Sequence, residues 1–326
     1  MAAPGADDEL LFEYPPILRQ YKSGRVERFS FPPIRAGVDP ATGVTSKDVV
    51  IDQANGLCAR IFLPPGSNAG KLPVVVYYHG GAYVMGSAGD LMTHNYLSAL
   101  VAAANVLAVS LGYRLAPEHP LPAAYDDSWE GLKWVASHST TGTATGGVEG
   151  EPWLVDHGDF SRVFLAGSSA GATIAHVTAV RAGEHAGLPG IRIRGVLVVH
   201  PYFNGAADIG KEATTGKAEK EKADALWRFL YPGSPGLDDP LSNPFSEAAG
   251  GSVARIAGER VLVCVAEKDS LRDRGVWYYE CLKASGYGGE VELLESMGEG
   301  HVFCSIDPHC EKAMEMQERV IGFLRK

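Results

Sequence analysis

Ser169 lies between two glycines in Gly167-Ser168-Ser169-Ala170-Gly171, directly behind the apolar run Val163-Phe164-Leu165-Ala166 and ahead of a helix-compatible stretch. A serine hydroxyl is a poor nucleophile at neutral pH, so chemistry requires a base to take its proton and a backbone that exposes its oxygen. A strained strand-to-helix turn supplies the exposure, and its neighbours must be small because the chain reverses so tightly there. Only Ser169 has the offsets of such a nucleophile elbow, and Ser168 is its neighbour. A strand before and a helix after favour this reading over a plain turn.

A second motif points to the same chemistry. Leu72-Pro-Val-Val-Val-Tyr-Tyr78 reads as a buried strand and runs into His79-Gly80-Gly81-Ala82-Tyr83. When an ester carbonyl is attacked, negative charge builds on its oxygen. Preorganised N–H groups aimed at that charge lower the barrier, and loss of one donor costs roughly 100 to 1,000-fold. The bared backbone at Gly80 and Gly81 suits this role, with the N–H of Ala170 as a third donor. His79, on the strand end ahead of the glycines, reads as a structural residue that holds the loop by hydrogen bonds.

With these motifs the chain resembles the hormone-sensitive-lipase-like branch of the α/β-hydrolases, and within it the plant carboxylesterases. The resemblance rests on the His-Gly-Gly loop, Gly112-Tyr113-Arg114-Leu115-Ala116-Pro117-Glu118-His119-Pro120, Pro122-Ala-Ala-Tyr125-Asp126-Asp127, the elbow and the C-terminal segments below. It spans about Phe12 to the end of the chain. Two residues depart from the family pattern: Ala82 stands at a usual third glycine and Ser168 at a usual acidic position. Neither change removes a catalytic group, while Ser168 deletes a charge beside the nucleophile.

The resemblance implies a serine, acid, histidine order along the chain. Val261-Leu-Val-Cys-Val-Ala266 is a β-branched apolar run ending in Glu267-Lys268-Asp269, with a helix expected from Leu271, so Asp269 falls on a strand-to-helix loop. The family motif makes Asp269 the acid that orients the base and stabilises its imidazolium. Its rivals are Asp273, one turn into the helix and read as a cap or a solvent-facing residue, and Glu267. Gly298-Glu299-Gly300-His301-Val302-Phe303 follows the strand-like Glu290-Val-Glu-Leu-Leu294 and places His301 in a glycine loop before the last helix. Order, loop context and family motif agree on His301 as the general base. His176 and His185 sit in the helix after the elbow, and His138 and His157 flank a polar loop.

The remaining composition narrows the function classes. At 326 residues, with 45% apolar and 21% charged residues, the chain carries enough apolar mass for a sizeable core. A net charge of −10 argues against nucleic-acid partners, which need clustered Lys and Arg. The lysines of 210–222 alternate with glutamates and read as a solvated face. No stretch approaches the roughly 18 apolar residues of a membrane span. Five scattered cysteines read as reduced thiols, and Cys304, three residues from His301, as a buried one. Neither zinc spacing nor a phosphate-binding glycine loop occurs, so no metal and no cofactor is expected. Residues 1–10 are acidic and lack both a basic region and an apolar core, which gives a cytoplasmic location as the expectation.

Short β-branched runs alternate with helical patterns at about Val106–Leu111, Tyr125–Ala136, Val163–Ala166, Ala170–Arg181, Ile193–Val199 and Val261–Val265. Alternation of this kind predicts an α/β fold with a mostly parallel central sheet and helices on both faces, which the resemblance implies to be the α/β-hydrolase fold. Arg28–Phe31, Lys47–Asp52 and Cys58–Leu63 read as its antiparallel edge, and 140–150 as a Gly/Thr-rich surface loop. The expected organisation is one domain over 1–326. The resemblance implies a cap over the site, built from about 8–24 and the insertion 201–245. Phe12, Tyr14, Ile17 and Leu18 of the first and Trp227, Phe229, Leu230 and Tyr231 of the second are expected to enclose a small apolar site for short acyl groups.

These expectations add up to a serine carboxylesterase that takes small-molecule esters through an acyl-enzyme. Three alternatives belong to similar proteins: elimination, as in 2-hydroxyisoflavanone dehydratases; strigolactone cleavage; and hormone binding, as in gibberellin receptors that have lost the histidine which His301 supplies here.

Overall fold

The computed structural model describes residues 9–67, 70–140, 150–185 and 187–326. Residues 141–149 of the expected Gly/Thr-rich loop and residues 1–8 of the N-terminus lie outside the described residues. The chain opens with a small antiparallel sheet of β1 (Leu10–Tyr14), β2 (Leu18–Tyr21) and β3 (Val26–Arg28). The elements that follow are β4 (Thr45–Asp52), β5 (Leu57–Leu63), β6 (Leu72–Tyr78), α1 (Leu91–Ala104), β7 (Leu107–Gly112), α2 (Ala123–Ser137), α3 (Pro152–His157), β8 (Gly158–Ser168), α4 (Ala170–Glu184) and β9 (Ile193–Val199). Then come α5 (Lys217–Leu230), β10 (Arg260–Ala266), α6 (Arg272–Ala284), β11 (Glu290–Ser296), α7 (Phe303–Ile306) and α8 (Glu311–Arg325).

Among the described residues the main sheet has eight strands in the order β11-β10-β9-β8-β6-β7-β5-β4. Pairing is parallel from β11 to β7 and antiparallel through β5 and β4 at the edge. The expected edge strands 47–52 and 58–63 are β4 and β5. The third expected edge segment, 28–31, is not in this sheet. Arg28 ends β3, which pairs with β2, and Phe29 to Phe31 run into Pro32 and Pro33, whose ring nitrogens cannot donate to a ladder.

Alternation along the strands divides the core in two. Val74, Val76, Val163, Leu165, Val196, Val198, Val261 and Val263 face α2, α4 and α6, where Trp129, Leu132, Ile174, Ala179, Tyr278 and Leu282 cover them. Val75, Tyr77, Ala108, Phe164, Leu197 and Cys264 point the other way, against Leu97, Leu100 and Val101 of α1 and Met316, Val320 and Phe323 of α8. Continuous burial of β6 and β10 on both faces is why they read as unbroken apolar runs. Each fully buried aliphatic side chain contributes about 1.5 to 3 kcal/mol, so the sheet is a rigid base for the loops at its carboxyl ends. Asp127 ties two of the segments that carry the resemblance together, accepting from the guanidinium of Arg114 and from the Arg114 backbone N–H at 2.9 Å.

Candidate active site

The elbow follows from its two glycines. Gly167, near the end of β8, lies so close to α4 that a Cβ there would lie 2.1 Å from the carbonyl oxygen of Gly171, and a Cβ on Gly171 would lie 2.0 Å from that of Tyr78. No side chain fits either place. Between them Ser169 takes φ 55° and ψ −122°, a strained conformation that turns its side chain out of the strand-to-helix junction. Its N–H is held by the carbonyl of Val199 at 2.8 Å and its carbonyl accepts from Tyr202 N–H at 3.3 Å.

The other sequence-selected residues converge on it. Ser169 Oγ donates to His301 Nε2 at 3.0 Å, and His301 Nδ1 donates to Asp269 Oδ2 at 2.7 Å. Asp269 follows β10, its side chain 1% exposed, and its Oδ1 accepts the Leu271 N–H at 2.9 Å. His301 lies between β11 and α7 and is half-buried, its ring reachable from the cavity. Three parts of the sheet rim, after β8, β10 and β11, thus supply three side chains spread over 132 positions.

The rival acids do other work. Glu267 accepts the Gly298 N–H at 2.7 Å and so braces the turn ahead of His301. Asp273, expected to cap its helix or face solvent, instead accepts the Lys211 N–H at 2.8 Å and pairs with Arg272. Cys304 is buried, and burial pushes its thiol up to about 11, which keeps it protonated at neutral pH.

Gly80 lies against the elbow, for a Cβ there would meet Ser168 O at 3.0 Å and Ser169 Cβ at 3.4 Å, and Gly81 lies next to it on the cavity wall, packed against the Met85 backbone. Ala170 opens α4, at the helix end where backbone N–H groups have no intrahelical acceptor. Among the described residues no protein oxygen accepts from the N–H of Gly80, Gly81 or Ala170. His79 braces this loop: its Nδ1 lies 2.7 Å from Gly80 O, its ring stacks on Tyr113 at 4.2 Å, and its own carbonyl accepts from Tyr113 Oη at 2.7 Å. Burial lowers the pKa of His79, which keeps it neutral. Ser168 Oγ pairs with Tyr77 Oη at 3.0 Å, an uncharged couple on the cavity wall.

Ser169 and His301 open into a cavity of about 760 Å³. Phe12, Tyr14 and Ile17 line it as expected, whereas Trp227 and Leu230 are fully buried in the core behind α5. The face that α5 turns to the cavity carries Glu219, Lys222, Ala223 and Leu226. Their i, i+3, i+4, i+7 spacing is one helix face, a signal present in the sequence but outweighed by the bulk of the aromatic residues. Met85, Met92, Phe29, Phe31 and Ile306 complete an apolar wall that sequence reasoning missed. A second, smaller cavity of about 330 Å³ borders Asp269 and shares Glu219, Ala223, Ser270 and Leu271 with the first.

One potential ligand atom each from His200, Asp269 and His301 lies within 4.8 Å of the other two, the grouping among the described residues that could hold a cation. Hydrogen bonds already engage them: His301 with Asp269, and His200 Nδ1 with the Val302 N–H.

A family description of the alpha/beta hydrolase fold matches residues 75–305. The chain belongs to the α/β-hydrolase family. It is similar over 317 residues, 96% of this chain and 95% of the relative, to 2-hydroxyisoflavanone dehydratase of Glycyrrhiza echinata, at 46% identity. It is equally similar, 46% over 322 residues and covering 98% of this chain and 80% of the relative, to the chloroplastic tuliposide A-converting enzyme 2 of Tulipa gesneriana. Among solved structures, the hyperthermophilic esterase of the archaeon Pyrobaculum calidifontis matches with a TM-score of 0.69 and 27% identity over 86% of this chain and 84% of its own. This α/β-hydrolase is esterase-like, in the hormone-sensitive-lipase-like branch.

The expected cytoplasmic location is corrected by the same relatives. The tulip enzyme is chloroplastic, and a further tulip relative, 41% identical over 321 residues, is amyloplastic. The acidic character of residues 1–10 speaks only to those residues and does not fix a compartment. Among the described residues no helix is long and apolar enough to cross a membrane.

Proposed function

We propose that this α/β-hydrolase is a serine carboxylesterase acting on small-molecule carboxylic esters. The observation that carries the reading is the chain of hydrogen bonds from Ser169 Oγ to His301 Nε2 and from His301 Nδ1 to buried Asp269, at 3.0 and 2.7 Å, on the wall of an apolar cavity. His301 takes the Ser169 proton as Oγ attacks the ester carbon. The tetrahedral oxyanion is held by the N–H groups of Gly80, Gly81 and Ala170, and its collapse expels the alcohol, which takes the proton from His301. Water then attacks the acyl-enzyme with the same base and releases the acid. Asp269 holds one tautomer of the base and stabilises the imidazolium that forms in each half-reaction.

The protein acts as one domain whose cap comes from about 8–24 and 201–245. Support for the cap is the position of Phe12, Tyr14, Ile17, Glu219, Lys222 and Leu226 over the cavity. At about 760 Å³ the cavity exceeds what a short acyl group fills, so the substrate is an ester with at least one sizeable apolar or aromatic half.

A second reading has its own support in the Glycyrrhiza relative, named as a dehydratase at the same identity as the tulip enzyme. In it His301 and the oxyanion loop would serve elimination of water. Incubation with a panel of p-nitrophenyl and natural aromatic esters, and separately with a 2-hydroxyisoflavanone, distinguishes the two. Hydrolysis that depends on Ser169, with no dehydration, is the expected result; dehydration without ester turnover would replace the esterase reading.

A further inference from the structure

His200 follows β9 and is 1% exposed. Its ring lies 5.9 Å from that of His301 and 5.7 Å from that of Phe303, centroid to centroid. Its Nδ1 accepts the backbone N–H of Val302, the residue after the base, at 2.9 Å. Its own N–H donates to Cys264 O at 2.8 Å, which pins it to β10. Both ends of this contact are conformationally unusual. His200 has φ 48° and Val302 has φ 47°, a left-handed backbone that a β-branched residue avoids unless something holds it. The strand end that carries His200 also holds the nucleophile, through Val199 O to the Ser169 N–H and Tyr202 N–H to the Ser169 carbonyl.

We infer that His200 is a positioning residue for the general base: its buried imidazole, bonded through Nδ1 to the Val302 N–H, fixes the backbone after His301 and thereby aims the His301 ring at Ser169. This rests on the roles proposed for Ser169, Asp269 and His301. The bond requires neutral His200 with its proton on Nε2, because a protonated Nδ1 would face the Val302 N–H donor to donor. Burial supplies that neutrality. It lowers the His200 pKa to about 4, aided by nearby His301 and opposed by Asp269. The stretch 199–202 is therefore a clamp, with backbone groups on the nucleophile side and one side-chain nitrogen on the base side. His200 touches no reacting atom and works only through the geometry of its neighbour.

His200→Gly and His200→Asn separate this role from simple packing. Both residues tolerate a left-handed backbone, but only Asn offers an oxygen near the place of Nδ1. With a p-nitrophenyl ester as probe, His200→Gly is expected to lose about 100-fold in kcat with little change in KM, as for a misaimed catalytic group. His200→Asn is expected to recover most of that loss, and circular dichroism should find both folded. If His200→Gly does not fold, His200→Gln, whose oxygen reaches past the Nδ1 position, takes its place and should fall below His200→Asn. Wild-type kcat in His200→Gly, or equal losses in the Asn variant and its comparator, would overturn the inference. Ser169→Ala runs in the same assay: if it stays active, the esterase roles fall and this inference with them, whereas an inactive Ser169→Ala beside an unaffected His200→Gly removes the positioning role alone.

Discussion

Phe12 of β1 and Phe229 of α5 stack face to face, with ring centroids 3.9 Å apart and planes 9° from parallel. This contact joins β1, whose Phe12 lines the cavity, to α5. A stacked pair is worth about 0.5 to 1.5 kcal/mol beyond its area, enough to bias this junction without holding the whole fold. Phe12→Ala is expected to raise KM for bulky apolar esters several-fold while leaving the melting temperature within a few degrees of wild type. Steady-state kinetics with paired small and bulky esters check this, and an unchanged KM for both would detach the stack from substrate binding.

Ser169→Ala is expected to abolish ester hydrolysis in a folded protein, and Ser168→Ala to keep it, because Ser168 Oγ is engaged with Tyr77 and not with His301. Fluorophosphonate treatment followed by peptide mass spectrometry should locate the adduct on Ser169. An adduct confined to Ser168 would reverse the assignment.

Asp269→Asn should keep the fold and lower kcat by about 10⁴-fold, since an amide favours the wrong imidazole tautomer. Asp273→Asn, which touches Lys211 and Arg272, should leave kcat near wild type. Similar losses in the two variants would reopen the choice between these acids.

Arg274 is buried beside Glu212, its Nε 2.8 Å from Oε1 and its terminal nitrogen 2.6 Å from Oε2, and it also donates to Ala207 O. It anchors the start of the insertion to α6. Arg274→Met leaves a largely buried carboxylate without its partner, at a cost of about 3 to 5 kcal/mol. Urea unfolding should register the loss, and recovery in the double variant Arg274→Met/Glu212→Leu would identify the stranded charge as its cause.

His176 is fully enclosed between Tyr278 and Phe203, and burial lowers its pKa to about 3. Between that value and the ordinary 6.5 the unfolded chain binds a proton that the folded protein excludes, so stability is present above pH 6.5 and falls with decreasing pH across this window. The slope is up to about 1.4 kcal/mol per pH unit for one such group. His176→Gln should show a smaller drop in unfolding free energy than wild type between about pH 7 and about pH 5. Parallel pH dependences would exclude His176 as the source.

The elbow was legible because its cause is local: a buried strand, two glycines at contact distance and a helix are all encoded within about a dozen residues. The sheet was legible for the same reason, since β6, β10 and the second half of β8 are buried on both sides and carry unbroken apolar runs. The proposed acid was harder. Glu267, Asp269 and Asp273 fall within seven positions; the family motif favours Asp269, and in the fold it is Asp269 that meets His301 while the other two brace neighbouring loops. The cavity was least legible. Bulk drew attention to Trp227 and Leu230, yet these are fully buried in the core, and Glu219, Lys222, Ala223 and Leu226, nearer the start of α5, line the space. His200 carries no motif, because its partner is a backbone N–H of Val302, 102 positions away.

Ser169, Asp269 and His301 all leave from the rim of one rigid sheet, while much of the outer cavity wall comes from β1, the turn after it and α5, outside that sheet. Mutation can therefore redraw the cavity without disturbing the hydrogen-bonded arrangement of Ser169, His301 and Asp269. A lineage built this way can change what it accepts in small, independently tolerated steps, and relatives with nearly equal identity to this chain can carry differently named reactions.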